Sequence, residues 1–174
     1  LQAHHAGRHT TLDHENKERT VVSHQHIIDA TQEIFETMIM IEAKAGDPMN
    51  QPATSFSKGM TAMVGFAGFR QGMLAIHTPE AVALDITTQF LGLEVESIDE
   101  DVIDALGELA NMVAGSIKPL MAKDGVDVEL SLPSVIYGSE YSMTTLADSE
   151  ILAVPFELDS GIFIVELAFK NYSN

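Results

Sequence analysis

The sequence contains no cysteine. That removes structural disulfides, a thiolate nucleophile and cysteine-based zinc sites from consideration, and it fits a reducing compartment. No apolar run is long enough to span a bilayer. The start, Leu1 to Thr20, is polar and His-rich and holds no apolar signal-peptide core. A soluble, cytoplasmic protein is therefore expected. Positive charge is scarce: 9 Lys and Arg stand against 26 Asp and Glu, a formal net charge of −17. Within Leu1–Val22, Arg8, Lys17 and Arg19 balance Asp13, Glu15 and Glu18, so the whole excess lies in the rest of the chain. There the only cations are Lys44, Lys58, Arg70, Lys118, Lys123 and Lys170. Nucleic acid and anionic membrane both require a basic face to neutralise phosphates, and neither is expected as a partner. The acidic balance itself reads as a solvated surface and names no partner.

What is present is a chain of 174 residues, 45% hydrophobic, enough for one globular domain with a sizeable core. Residues 1–22 read as a flexible tail and residues 23–174 as the folded domain. His4, His5, His9 and His14 match no closed metal-ligand spacing, and no carboxylate or Cys is placed to complete one. No metal site is expected.

Helical spacing of Ile27, Ile34, Phe35, Met38 and Ile41 predicts a helix from about Gln25 to Ala43, ended by Gly46-Asp47-Pro48. A polar loop should follow to about Gly59. Thr61 to Ile76 reads as two strands about Gly68-Phe69-Arg70-Gln71. Thr78-Pro79-Glu80 has the form of a helix start, with Thr78 as cap, and Gly92 closes that helix after Leu91. Ser97-Ile98-Asp99-Glu100 has the form of a capping box, opening a helix that reaches about Lys118, where Pro119 ends or kinks it. Val126, Val128, Leu130 and Leu132 alternate as a strand. Ile151–Phe156 and Ile162–Phe169 form a hairpin across Leu158-Asp159-Ser160-Gly161. Helix, hairpin, helices, then strands imply an α+β fold, with helices on one face of a mainly antiparallel sheet.

The helix opening at Asp101 carries the chemistry. Val102, Leu106, Leu109, Val113, Ile117 and Leu120 make one apolar stripe that should face the sheet. At about 100° per residue, Asp104, Glu108 and Asn111 fall within roughly 60° of each other on the opposite side. Gly115 and Lys118 extend this line, and Ala105, Gly107 and Ala114 flank it with small side chains that would let another surface approach. A carboxylate and a carboxamide one turn apart, with no Ser, Cys or His beside them, cannot form a nucleophilic triad. An amide can orient a water molecule, and a carboxylate can anchor a partner's cation. Together they suit a reaction whose nucleophile is water and whose other parts come from the partner, such as aspartyl-phosphate hydrolysis. His77, at a predicted strand end, and the scattered methionines read as structural. Gly65, Gly68 and Gly72 precede no Lys-Ser/Thr helix start and read as strand and turn glycines, not as a phosphate loop.

Asp104-Ala-Leu-Gly-Glu108-Leu-Ala-Asn111-Met-Val-Ala-Gly115 resembles the signature of the CheC/CheX/FliY phosphatases, and Leu132-Pro133-Ser134-Val135-Ile136-Tyr137-Gly138 resembles a Leu-Pro-x-Val-Ile-x-Gly segment of CheX proteins. The order of elements is similar from about Ile27 to Phe169. The resemblance implies a CheC-like pseudo-duplicated domain that dephosphorylates CheY-like response-regulator receivers in chemotaxis or other two-component signalling. It implies Glu108 pairing with a receiver lysine and Asn111 orienting the attacking water, with Asp104 and Gly115 in support. It implies no cofactor on this chain, because the Mg²⁺ belongs to the receiver, and a homodimer.

A shift of 75 residues overlays Ile28-Asp29-Ala30 and Glu33 on Ile103-Asp104-Ala105 and Glu108. The domain therefore reads as two related halves. The first half carries Glu36 where the second has Asn111, and a second anion cannot supply an amide's donor beside a phosphoryl group. One active site per chain is expected, which favours CheX over the two-motif CheC proteins. Two competing functions are a non-catalytic module that binds receivers or motor-switch components through the same helix, and a metal-dependent activity of the N-terminal histidines.

Overall fold

The computed structural model describes residues 22–122, 126–145 and 147–171. The predicted tail, with its four histidines, lies outside these residues except for Val22, which is buried in the core. The domain thus begins at least one residue before the expected boundary.

Among the described residues, three α-helices cover one face of a seven-stranded sheet. The helices are α1 (His24–Ile34), α2 (Glu80–Leu91) and α3 (Glu100–Met121). The strands are β1 (Lys44–Ala45), β2 (Ser55–Gly68), β3 (Arg70–Pro79), β4 (Val128–Leu130), β5 (Ser134–Ser142), β6 (Glu150–Leu158) and β7 (Gly161–Asn171). Their order is β1-β6-β7-β3-β2-β4, with β5 also on β2, and every pair is antiparallel. The α+β expectation is met.

The two-half organisation is visible in the topology. Each half runs helix, edge strand, hairpin: α1, β1, then β2–β3, and α3, β4 with β5, then β6–β7. The hairpins meet at the centre, where Leu74 on β3 sits opposite Leu167 on β7. The edge strands are exchanged. β1 of the first half pairs with β6 of the second, while β4 and β5 of the second pair with β2 of the first.

Local chemistry explains where the elements depart from expectation. α1 stops at Ile34 and passes into a π-helical turn, Phe35–Ile39, ended by Met40 in the left-handed region (φ 62°). The wider turn shifts the helical register, so Ile39 is buried and Met38 is not, and no helix reaches Ala43. Thr78 does not cap α2; its hydroxyl donates to the Met60 carbonyl, and the cap position falls on Pro79. Ser97 likewise is not a cap. The Asp99 carboxylate accepts the Val102 N–H at 3.2 Å, and α3 begins at Glu100. Pro119 does not end α3, which runs on to Met121. The carbonyl that loses its donor to Pro119 belongs to Gly115, which is exposed, so water can take the free lone pair. The loop expected up to Gly59 gives way to β2 from Ser55. β5 is a strand that the sequence did not announce.

Helix-side residues of the sheet, among them Met60, Val64, Leu74, Ile76, Phe163, Val165 and Leu167, join the helical stripes in one core. Phe163 stacks between Phe35 and Phe156 at centroid distances of 5.0 and 5.2 Å. The opposite face is crossed by the connection from β1 to β2. Met49 is hydrogen-bonded to Ala153 on β6, Ala53 donates to the Glu166 carboxylate on β7 at 2.9 Å, and Thr54 accepts from Met143. Beneath this strap, Glu166 faces His77 at 3.5 Å, His77 meets the Thr61 hydroxyl at 2.9 Å, and Thr61 meets the Tyr141 hydroxyl at 2.8 Å. Burial raises the Tyr141 phenol above its ordinary pKa, and its bond to Thr61 offsets part of that rise. His77 is therefore part of a buried polar chain on the side of the sheet away from the helices.

Candidate active site

The site begins with the amphipathic division of α3. Val102, Leu106, Leu109, Val113 and Ile117 are each 2% exposed or less and pack against the sheet, as their spacing requires. Leu120 is only half-buried, and Met121 takes the buried place at the helix end. On the other side Asp104, Glu108 and Gly115 are exposed and Asn111 is half-buried. All four stand on the line the helical wheel assigns to them.

Asp104, Glu108 and Asn111 make no side-chain hydrogen bond or ion pair with another described residue. Lys118, the cation on the same line, is already engaged by Asp127 at 3.4 Å. The Val128 N–H holds the Asp127 carboxyl below the usual carboxylate range, with Lys118 adding to the effect against some desolvation. Ten residues of helix put Lys118 about 15 Å along the axis from Glu108, too far to neutralise it. The carboxylate of Glu108 is thus left for a cation from outside, and the Asn111 amide keeps its donor and acceptor.

The small residues around this line serve two different purposes. Ala105, Gly107 and Ala114 are buried by the protein itself and do not open the surface to a partner. A Cβ on Gly107 would touch Pro133 at 3.6 Å and Val135 at 3.8 Å, so the start of β5 lies directly against it. Gly115 is different: a Cβ there would meet nothing within 4 Å. None of the three small flanking residues expected to admit another surface is placed to do so; the open space lies at Gly115, on the line itself.

The family model described as chemotaxis phosphatase CheX matches residues 60–157, more than half of the 174-residue chain. The chain belongs to the CheX family of chemotaxis phosphatases. The stretch common to CheX proteins takes in α3 with the whole candidate line, and also the segment from Leu132 to Gly138. A CheX of Thermotoga maritima, named as a CheY-P phosphatase, is 25% identical over 135 residues, covering 77% of this chain and 86% of that protein. A CheC-like superfamily protein from Shewanella aligns with a TM-score of 0.75 at 29% identity, covering 84% of this chain and 96% of that one. The CheX of Borrelia burgdorferi, solved as a complex with CheY, beryllofluoride and Mg²⁺, aligns with a TM-score of 0.73 at 27% identity, covering 84% and 96%.

Within this CheX fold the corresponding face of α1 is not a second copy of the line. Asp29, Glu33 and Glu36 are exposed, as the 75-residue shift predicts. Glu36, however, lies in the π-helical turn, and Met40, 82% exposed, stands where the shift places Gly115. Both the amide and the open approach are missing. Glu36→Asn placed in an Asn111→Ala background is therefore expected to restore no receiver dephosphorylation. Recovery of even a tenth of wild-type turnover in a label-loss assay would show that the π turn and Met40 do not matter.

Among the described residues, no group of three or more His, Asp or Glu is placed to hold a metal ion. No described helix is long and apolar enough to cross a membrane.

Proposed function

We propose that this chain hydrolyses the aspartyl phosphate of a CheY-like receiver domain, with Glu108 and Asn111 as its catalytic groups. One observation carries the assignment: an exposed carboxylate and an unengaged carboxamide project together from one line of α3, three residues apart, with Gly115 leaving room beside them. The relatives named as a CheY-P phosphatase and solved with CheY supply the partner class.

In this reaction a water oxygen bonds to phosphorus as the bond from phosphorus to the aspartyl oxygen breaks. The receiver regains its carboxylate, inorganic phosphate leaves, and the water's protons end on phosphate or solvent. The transition state is loose, so catalysis consists of placing the water in line and neutralising charge. Asn111 supplies the first, its amide holding the water along the axis of attack. Glu108 supplies docking, its carboxylate pairing with a lysine of the receiver and fixing α3 over the phosphoryl group. Mg²⁺ stays with the receiver, and this chain needs no cofactor of its own. Asp104, one turn before Glu108, adds to the attraction for that lysine without touching the phosphoryl group. The work takes place in the cytoplasm, where receivers reside, and the active form is a homodimer.

The test is loss of label from phosphorylated CheY-type receivers with and without the protein, Glu108→Ala serving as the control and sedimentation reporting the oligomer. Accelerated release that Glu108→Ala abolishes is the expected result. Binding to the phosphorylated receiver with no acceleration would identify a docking module instead.

A further inference from the structure

β4 and β5 lie end to end along one edge of β2, pairing with residues 66–68 and 55–63 respectively. Ser131, Leu132 and Pro133 fill the gap between them; Ser131 stays bonded to β2, and Leu132 and Pro133 step out of the ladder. The step is fixed on the β2 side. Ser131 N–H donates to the Gly65 carbonyl at 2.8 Å, and the Gly65 N–H donates to the Ser131 hydroxyl at 2.9 Å, which in turn donates to the Leu132 carbonyl. Pro133 has no N–H to offer β2 and packs instead on α3, over Gly107. Leu132 is held between these two anchors and is 88% exposed, the most exposed large apolar side chain described.

Gly107 lies one turn before Asn111 on the same side of α3, roughly 40° away around the axis. Leu132 therefore stands on the rim of the catalytic line. We infer that Leu132 is a specificity-determining contact for the receiver, an apolar knob that seats on the partner when Glu108 and Asn111 reach the phosphoryl group. The inference rests on the proposed phosphatase function and names a contact that function does not require. A partner bound only through Glu108 would be held by one solvated ion pair, which contributes little. Interfaces gain most of their affinity from a few apolar anchors beside such polar groups, and an anchor already fixed in place loses little entropy on binding. The receiver as occupant follows from continuity: the knob and the catalytic line are joined through Pro133 and Gly107, so a body docked on one meets the other.

The experiment compares wild type with Leu132→Asp, Leu132→Ala and Ile162→Asp, the last an exposed apolar position on the distant β6–β7 turn. A CheY-type receiver phosphorylated with acetyl phosphate is the substrate, and the same receiver with Mg²⁺ and beryllofluoride is the binding probe. KM and Kd should rise at least about tenfold in Leu132→Asp and less in Leu132→Ala, with kcat, thermal midpoint and sedimentation unchanged. Ile162→Asp should match wild type. Unchanged KM and Kd in both Leu132 variants of an active enzyme would overturn the assignment and leave the phosphatase function standing. A shifted oligomeric state would overturn it too, by placing Leu132 between copies of this chain. Should wild type neither bind nor turn over the receiver, both inferences fall together.

Discussion

Asn111→Ala is expected to slow receiver dephosphorylation by about 10²–10³-fold, comparable to removing one oxyanion-hole donor. The reason lies in what the side chain does and does not touch. The Asn111 side chain makes no hydrogen bond or ion pair with a described residue, so its loss breaks no polar contact within the fold. Alanine is also the better helix former, so α3 should be no less stable. The defect should therefore appear in kcat alone. Under the proposed roles Glu108 should still pair with the receiver, and affinity for the beryllofluoride form should persist. Asn111→Asp keeps the shape but places an anion near the phosphoryl oxygens, and should be as inactive as alanine. Single-turnover release of phosphate at saturating protein separates the two steps. If the alanine variant kept a third or more of the wild-type rate, the water-orienting role of Asn111 would be lost.

Glu166→Ala is expected to lower stability by about 3 kcal/mol, the scale on which removing one partner of a buried polar pair is felt. Glu166 is 4% exposed; its carboxylate accepts the Ala53 N–H and lies 3.5 Å from His77 Nε2, a buried nitrogen with no hydrogen bond to another described residue. Truncation leaves a buried N–H and a buried imidazole nitrogen facing a cavity. It also frees the middle of the strap, which would then be held only near Met49 and Thr54. Glu166→Gln preserves an acceptor for Ala53 and should cost about 1 kcal/mol. Urea unfolding measures both. Because the network lies across the sheet from α3, the residual folded protein should dephosphorylate at the wild-type rate. A cost under 1 kcal/mol for alanine would mean that the strap is held by its ends.

Much of this molecule is legible in its sequence. α3 was clear because its apolar stripe and polar line are both unbroken, and periodicity reports that directly. The β6–β7 hairpin shows in two apolar runs flanking Leu158-Asp159-Ser160-Gly161, and the two halves show in the residues that coincide under a shift of 75. The misses share a cause: they depend on partners that a local window does not contain. β5 exposes both of its faces along most of its length, so Ser134 to Ser142 shows no alternation, and only its pairing with β2 makes it a strand. The π turn after Ile34 follows from packing that buries Phe35 and Ile39 together. Ser97 and Asp99 are both good caps by residue type, and the Val102 N–H bonds to the second. The buried chain from Glu166 to Tyr141 joins β7, β3, β2 and β5, and no spacing in the sequence connects those residues. At the site, wheel geometry put Asp104, Glu108, Asn111 and Gly115 on one line, but it gave Asn111 more exposure than its half-buried side chain has. It could not reveal that Gly107 lies beneath Pro133, or that Leu132 stands beside it.

The exchanged edge strands bear on why a half without its own chemistry persists. Excising the first half would strip β4 and β5 of the strand they lean on, and would leave β6 without β1 and β7 without β3. The half that retains Asn111 could not close its own border. An ancestral duplication of this design is locked by mutual lending: either copy is free to drift in what it presents outward, and neither can be discarded. On this view Glu36 and Met40 mark a surface released from duty on a framework that the working copy still borrows.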